Sequence, residues 1–247
     1  LRTPPFPQPA LTGKVEQRRL DVGGISRSFL VYVPQHLSDP VPVLLVLHGS
    51  AGSAERMRSA TAWAFEQLAD REGAVVVYPE GFEGHWNDCR KEGDFAAKRL
   101  GVDDVSFLRA VVARLSGDPA LGARQIAAEE VFAAGLSNGG HMALRLALEA
   151  PDFVAGVAAI AASLPVESNS ECTPSGKAVP VLLLNGDADP ISPHDGGETW
   201  SLGSFNRRGA VQAAVATAGY FSRLAGFVDP PFEHRYPDND PVDGTVA

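Results

Sequence analysis

The chain has 247 residues, enough for one large domain or two small ones, and its 45% hydrophobic and 21% charged content leaves ample material for a core. A formal charge of −9 argues against a nucleic-acid partner, which would require a basic stripe. No apolar run approaches the ~20 residues of a membrane-spanning helix, so no transmembrane segment is expected; the longest runs, 43–47 and 181–184, are strand-sized.

Residues 1–14 read as a leader made extended and semi-rigid by Pro4, Pro5, Pro7 and Pro9. Residues 1–10 lack the basic start and apolar centre of a signal peptide. The remainder, 15–247, reads as one domain. Two strand-like runs, 15–20 and 28–33, flank the turn sequence Gly23-Gly24 and predict a β-hairpin. The continuous apolar run 43–47 predicts a parallel strand covered on both faces, ending in the flexible stretch His48-Gly49-Ser50-Ala51-Gly52. Met57, Ala60, Ala64 and Leu68 recur near helical spacing and predict one helix over 54–69.

A second buried strand is expected at 74–78, stopped by Pro79. The loop after it carries Gly81, Gly84, His85, Trp86, Asn87, Asp88 and Cys89, and its length marks it as functional. Asp103 and Asp104 suit a helix N-terminus, and Val105, Leu108, Val112 and Leu115 share one face beyond them. Residues 154–162 form another strand candidate. The run 179–185 predicts a buried strand that ends in Gly186-Asp187-Ala188-Asp189-Pro190, and a helix is expected over 210–224 after a Gly/Ser-rich loop. No element is expected beyond Phe227. Strands alternating with helices are the signature of a doubly wound, mostly parallel α/β sheet.

Between the apolar run that begins at Val131 and a helical pattern that runs to Glu149 lies Gly135-Leu136-Ser137-Asn138-Gly139. Gly-x-Ser-x-Gly alone is a weak signal, because a glycine-rich helix start with a capping serine reads the same way. Its place between a strand and a helix is what a nucleophile elbow requires, so Ser137 is the candidate nucleophile. A serine hydroxyl needs a base, and the base needs an orienting acid. Asp187 and Asp189 follow the 181–185 strand, where an acid belongs, although Asp-Pro is also a good turn sequence. An oxyanion needs two backbone donors, and the amides of Asn138 and Ser50 are the candidates. No histidine is a convincing base. His48 is better read as a satisfied core residue, and His141 lies one helical turn beyond Ser137. His194 is only five residues past Asp189, and His234 sits among prolines. The base is therefore expected outside this sequence, with the final strand and helix of the domain. Cys89 and Cys172 lie in polar, loop-like sequence, unusual for free cysteines, so a disulfide is expected; two unpaired thiols are the alternative.

Several segments occur together and in order: 47–53, 78–81, 86–90 (Trp86-Asn87-Asp88-Cys89-Arg90), 102–107, 135–140 and 185–190. Over roughly residues 28–225 they resemble the extracellular esterase group that contains poly(3-hydroxybutyrate) depolymerases, feruloyl esterases and acetyl xylan esterases, especially its bacterial depolymerase-like branch. The resemblance implies an α/β-hydrolase secreted or held in the cell envelope, acting on a polyester, feruloyl-polysaccharide or small acyl ester without metal or organic cofactor. It carries over Ser137 as nucleophile, Asp189 (the acid before the proline) as triad acid, and Ser50 and Asn138 as oxyanion positions. Trp86 falls in the group's substrate-side loop, with a core role the alternative. The group's histidine segment, Gly-Gly-Gly-His-x-Trp-Pro-Gly-like, has no counterpart here. Oligomeric state is not readable. A non-catalytic, polymer-binding scaffold is the competing expectation.

Overall fold

A computed structural model describes residues 7–200 and 207–234. Its centre is a seven-stranded sheet in the order β1-β2-β4-β3-β5-β6-β7. β1 (Lys14–Val22) and β2 (Ile25–Val33) form the expected hairpin, and the two-residue turn holds Gly23 and Gly24 at φ 59° and 79°. β2 joins β4 (Val75–Pro79) antiparallel. From there β3 (Val41–Leu47), β5 (Ile126–Leu136), β6 (Gly156–Ile160) and β7 (Val181–Leu184) continue in parallel. Every residue of β4 is buried, as its unbroken apolar run predicts, and Pro79 is its last paired residue, opposite Phe29.

Helices cover the sheet unequally. α4 (Asp104–Leu115), α5 (Asn138–Glu149) and α6 (Ala214–Leu224) contribute Phe107, Leu108, Val111, Met142, Leu146 and Phe221 to a core shared with Val43, Leu45 and Val131. α1 (Ala54–Ala60) and α2 (Ala64–Glu72) contribute Met57 and Ala69 to a smaller core with Val46, Val76 and Tyr78. Within α5 only Arg145 and Glu149 escape full burial, so this helix is sunk into the body of the protein.

Three expectations need correction. The single helix over 54–69 is two helices, broken at Ala62 and Trp63, which sit at φ 50° and 56°. The corner brings Glu66 inward, where its carboxylate accepts from Arg58 Nε at 2.7 Å and Tyr78 Oη at 2.5 Å. Strand β7 is not buried. Among the described residues it is the sheet edge, and Leu182 and Leu184, on the same face as Val46, are 64% and 62% exposed. The helix expected over 210–224 starts at Ala214. Residues before it form β9 (Arg207–Val211), paired antiparallel with β8 (Gly197–Trp200) in a separate two-stranded sheet. The loop after β4 also holds one turn of helix, α3 (Ala96–Arg99).

Candidate active site

Strand β5 runs into α5 with a single residue, Ser137, between them. Its backbone sits at φ 53°, ψ −117°, a region a non-glycine residue occupies only when its surroundings force it there. The turn is this sharp because both flanking glycines lack a side chain. A Cβ on Gly135 would lie 2.1 Å from Gly139 O, and one on Gly139 would lie 2.3 Å from Leu47 O. Ser137 N donates to Ile160 O at 2.8 Å, and His141 N donates to Ser137 O at 2.8 Å. The serine is partly exposed, at the end of the sheet where β3 and β5 deliver their following loops.

The loop after β3 lies against this turn. The added Cβ of a residue at Gly49 would stand 3.6 Å from Ser137 Cβ and 3.3 Å from Leu136 O, so Gly49 and its neighbour Ser50 adjoin the elbow. The amide of Asn138 opens α5, where the first N–H groups of a helix have no intrahelical acceptor. These two candidate donors and the serine thus belong to neighbouring segments, as an oxyanion site demands.

His48 is a structural residue, in line with its reading as a satisfied core histidine. It is 2% exposed; Gly81 N donates to Nε2 at 2.9 Å, so the proton is on Nδ1, which donates to Gly49 O at 2.8 Å. Burial pushes the imidazole down to about 4, against the hydrogen bond to Gly49, so it is neutral at pH 7. The nearby Glu80, at 3.6 Å, is therefore not an ion-pair partner; one of its oxygens accepts from Ala54 N.

Four other histidines have settings of their own. His141 is buried inside α5, and burial pushes it down to about 3. His85 stacks on Phe95, and His194 contacts the carboxylate of its neighbour Asp195 at 3.0 Å. His234 stacks on Phe232. Among the described residues, no histidine is hydrogen-bonded to the Ser137 hydroxyl. Asp189 follows β7, with Oδ1 accepting from Ile191 N at 2.8 Å and Ser192 N at 3.0 Å, so it caps its own turn. Asp187 is exposed.

Trp86 takes the core position that stood as the alternative to a substrate-side role. It is completely buried, and its indole Nε1 donates to His48 O at 2.9 Å, which pins the β3 loop from below. Cys89 and Cys172 form a disulfide, as expected from their polar surroundings.

Residues of the loop after β4 form a buried polar cluster whose roles the sequence did not announce. Asp88 is fully buried and paired with Arg90, with Nη2 to Oδ2 at 2.6 Å. Burial pushes the Asp88 carboxyl up, but the Arg90 guanidinium, by charge and hydrogen bonds, outweighs it and holds the group well below the usual carboxylate range. Asp103 caps α4, accepting from Ser106 N at 2.9 Å, whereas Asp104 turns inward to Arg27 Nη2 and Asn87 N, both at 2.7 Å. Motif residues at 86–90 and 103–104 were visible as a pattern. Their partners, up to 77 residues away, were not.

The chain is similar to several known proteins. A phospholipase/carboxylesterase family model matches residues 109–202, which span α4 through β8 and include Ser137. The chain is 38% identical over 198 residues to "Putative esterase NocK" of Nocardia uniformis subsp. tsuyamanensis, covering 78% of this chain and 54% of that protein. Feruloyl esterase B of Piromyces equi is 27% identical over 158 residues, 63% of this chain and 27% of its own length. The chain thus spans about half the length of the first of these relatives and about a quarter of the second. Among solved structures, a pOPH variant in complex with pNPB superposes with a TM-score of 0.60 at 20% identity, covering 85% of this chain and 76% of that one. A thermostable esterase superposes at 0.54 with 16% identity, over 87% of this chain and 52% of the other. The chain shares the α/β-hydrolase fold of these solved structures and is similar in sequence to proteins named as esterases.

Proposed function

We propose that the protein is a serine esterase that hydrolyses carboxylic esters through an acyl-enzyme. The observation that carries this reading is Ser137 itself, held at φ 53° between β5 and α5 with the Gly49–Ser50 loop packed against it. Strain of this kind persists only where the surroundings over-determine it, and it presents the hydroxyl at the sheet end. Ser137 attacks the ester carbonyl while a histidine takes its proton, and the amides of Ser50 and Asn138 receive the negative oxygen. Collapse of the tetrahedral adduct releases the alcohol, protonated by the same histidine, and leaves the acyl group on the serine. Water then attacks this ester by the reverse proton path. Asp189 orients the histidine, through a carboxylate whose two turn hydrogen bonds both fall on Oδ1. The base is a histidine other than His48 and His141, both of which are buried and committed to neutral environments.

The preferred substrate class is a hydroxyalkanoate polyester or a short acyl ester, with feruloyl and acetylated polysaccharide as the alternative that the names of several relatives favour. The Cys89–Cys172 disulfide supports an oxidising compartment, outside the cytoplasm. In the full-length protein, Ser137→Ala is expected to lower hydrolysis of short p-nitrophenyl acyl esters by about 10⁴-fold or more. Retention of wild-type rates would overturn the reading. A second reading, a polymer-binding scaffold without catalysis, draws on the lack of a hydrogen bond between the Ser137 hydroxyl and any histidine among the described residues. It predicts that wild-type and Ser137→Ala proteins are equally inert and bind insoluble polyester equally.

A further inference from the structure

We propose that the buried side chain of Asn138, tied to the Asp88–Arg90 pair, is a positioning device for the oxyanion donor, with Asp88 as its anchoring residue. The proposal rests on the reading of Ser137 as nucleophile and of the Asn138 amide as an oxyanion donor. It adds a second role for Asn138 and a first one for Asp88.

The amide side chain of Asn138 is bonded at three points. Its Oδ1 accepts from Trp86 N at 2.8 Å, and its Nδ2 donates to Trp86 O at 2.9 Å and to Asp88 Oδ2 at 2.7 Å. Both donors and the acceptor oxygen are thereby used, in a residue that is 0% exposed. Asp88 is itself fixed. Arg90 binds it through Nε and Nη2, and Arg90 Nη1 reaches Thr199 Oγ1 at 3.4 Å, whose hydroxyl donates to Gly209 O at 2.9 Å. The Cys89–Cys172 bond holds the segment between Asp88 and Arg90. The direction of the Asn138 N–H is set by ψ of Ser137, the strained angle of −117°. Ser137 N donates to Ile160 O, and Ser137 O, which shares a planar peptide with the Asn138 N–H, accepts from His141 N at 2.8 Å. The side chain of Asn138 adds a second restraint at the other end of that peptide by clamping the residue to a loop 50 residues away. A core position in α5 would be filled more simply by an apolar side chain, since buried ion pairs and amides carry a desolvation cost and contribute little net stability. An amide anchored to a charge is suited to orientation, because hydrogen bonds specify angle where packing does not.

The test uses the full-length protein with a p-nitrophenyl acyl ester as substrate and phenylboronic acid as a probe that forms an oxyanion on the serine. Asn138→Leu removes the clamp and keeps the backbone amide. It is expected to lower kcat by about 10- to 100-fold, less than loss of a whole donor, with KM within about twofold of wild type. The inhibition constant for phenylboronic acid is expected to rise by a similar factor. Should that variant not fold, two charge-free replacements carry the same comparison. Asp88→Asn with Arg90→Gln keeps an acceptor for Asn138 and is expected to stay within a few-fold of wild-type kcat, while Asp88→Leu with Arg90→Leu is expected to show the loss. Unchanged kcat and boronate affinity in variants that are merely less heat-stable would overturn the proposal. So would equal kcat in the two double variants. Absence of hydrolysis by the wild-type protein would instead sink the assignment of Ser137, a separate outcome.

Discussion

The loop that follows β5 and the loop that follows β7 supply Ser137 and Asp189, the two groups proposed for catalysis, yet they are built differently. Ser137 emerges from the sheet interior, between two glycines whose Cβ positions are occupied by backbone, and onto a helix buried on nearly every side. Asp189 emerges from the edge strand, whose Leu182 and Leu184 face solvent, and its carboxylate bonds only to amides of its own turn among the described residues. Ser137 is fixed by sterics and long-range hydrogen bonds, whereas the Asp189 carboxylate is fixed by local ones. The difference teaches that the serine's geometry belongs to the core and that the acid's geometry belongs to a half-covered margin.

The same substitution at the two loops should separate them most widely. Gly139→Ala places a methyl group 2.3 Å from Leu47 O, so backbone must move, and a loss of about 3 kcal/mol is expected in denaturant unfolding together with loss of any ester hydrolysis. Gly186→Ala meets nothing closer than Asp189 Cβ at 4.0 Å and is expected to change stability by less than about 0.5 kcal/mol. Equal costs at the two sites would erase the contrast.

Acidification should act on the buried side. His48 and His141 are neutral in the folded protein, with values lowered to about 4 and about 3 by burial, while the unfolded chain protonates near 6.5. Between those limits the unfolded state binds more protons. The stability these residues contribute is therefore complete above about pH 6.5 and is lost as pH falls toward 4. For His48 the loss amounts to about 3 kcal/mol. Unfolding free energies measured from pH 7.5 to 4.5 should fall accordingly, and His141→Gln should flatten the slope. A stability that stays level over that range would place both imidazoles in water.

The smallest effect is expected at the margin. Leu182→Ser on exposed β7 should alter stability by less than about 0.5 kcal/mol, whereas Leu45→Ala in the core should cost about 2–5 kcal/mol. A large loss at Leu182 would show that its face is covered in solution.

The same division explains how much could be read from the chain. Strands β3 and β4 and the elbow were legible because their requirements are local: an unbroken apolar run for a doubly covered strand, and glycines where a Cβ has no room. The corner between α1 and α2 was not, because Glu66 turns inward to meet Arg58 and Tyr78, which no periodicity records. The exposure of β7 was not, because Val181-Leu182-Leu183-Leu184 reads alike whether one face is covered or both. Strand β9 was absorbed into the helix that follows it, since Ala210 and Val211 suit either. Among the candidate site residues, Ser137 and Asn138 are consecutive, and Gly49, the neighbour of Ser50, stands beside Ser137. Trp86 and the Asn138–Asp88 link depend on contacts across about 40 to 50 residues, which spacing alone does not reveal.

The central claim, that Ser137 is an activated nucleophile, is tested most directly by treating the full-length native protein with a fluorophosphonate and locating the adduct by peptide mass spectrometry. One phosphonyl group per chain is expected on the peptide that carries Ser137, and none in Ser137→Ala. An unlabelled native protein, or an adduct on any other serine, would contradict it.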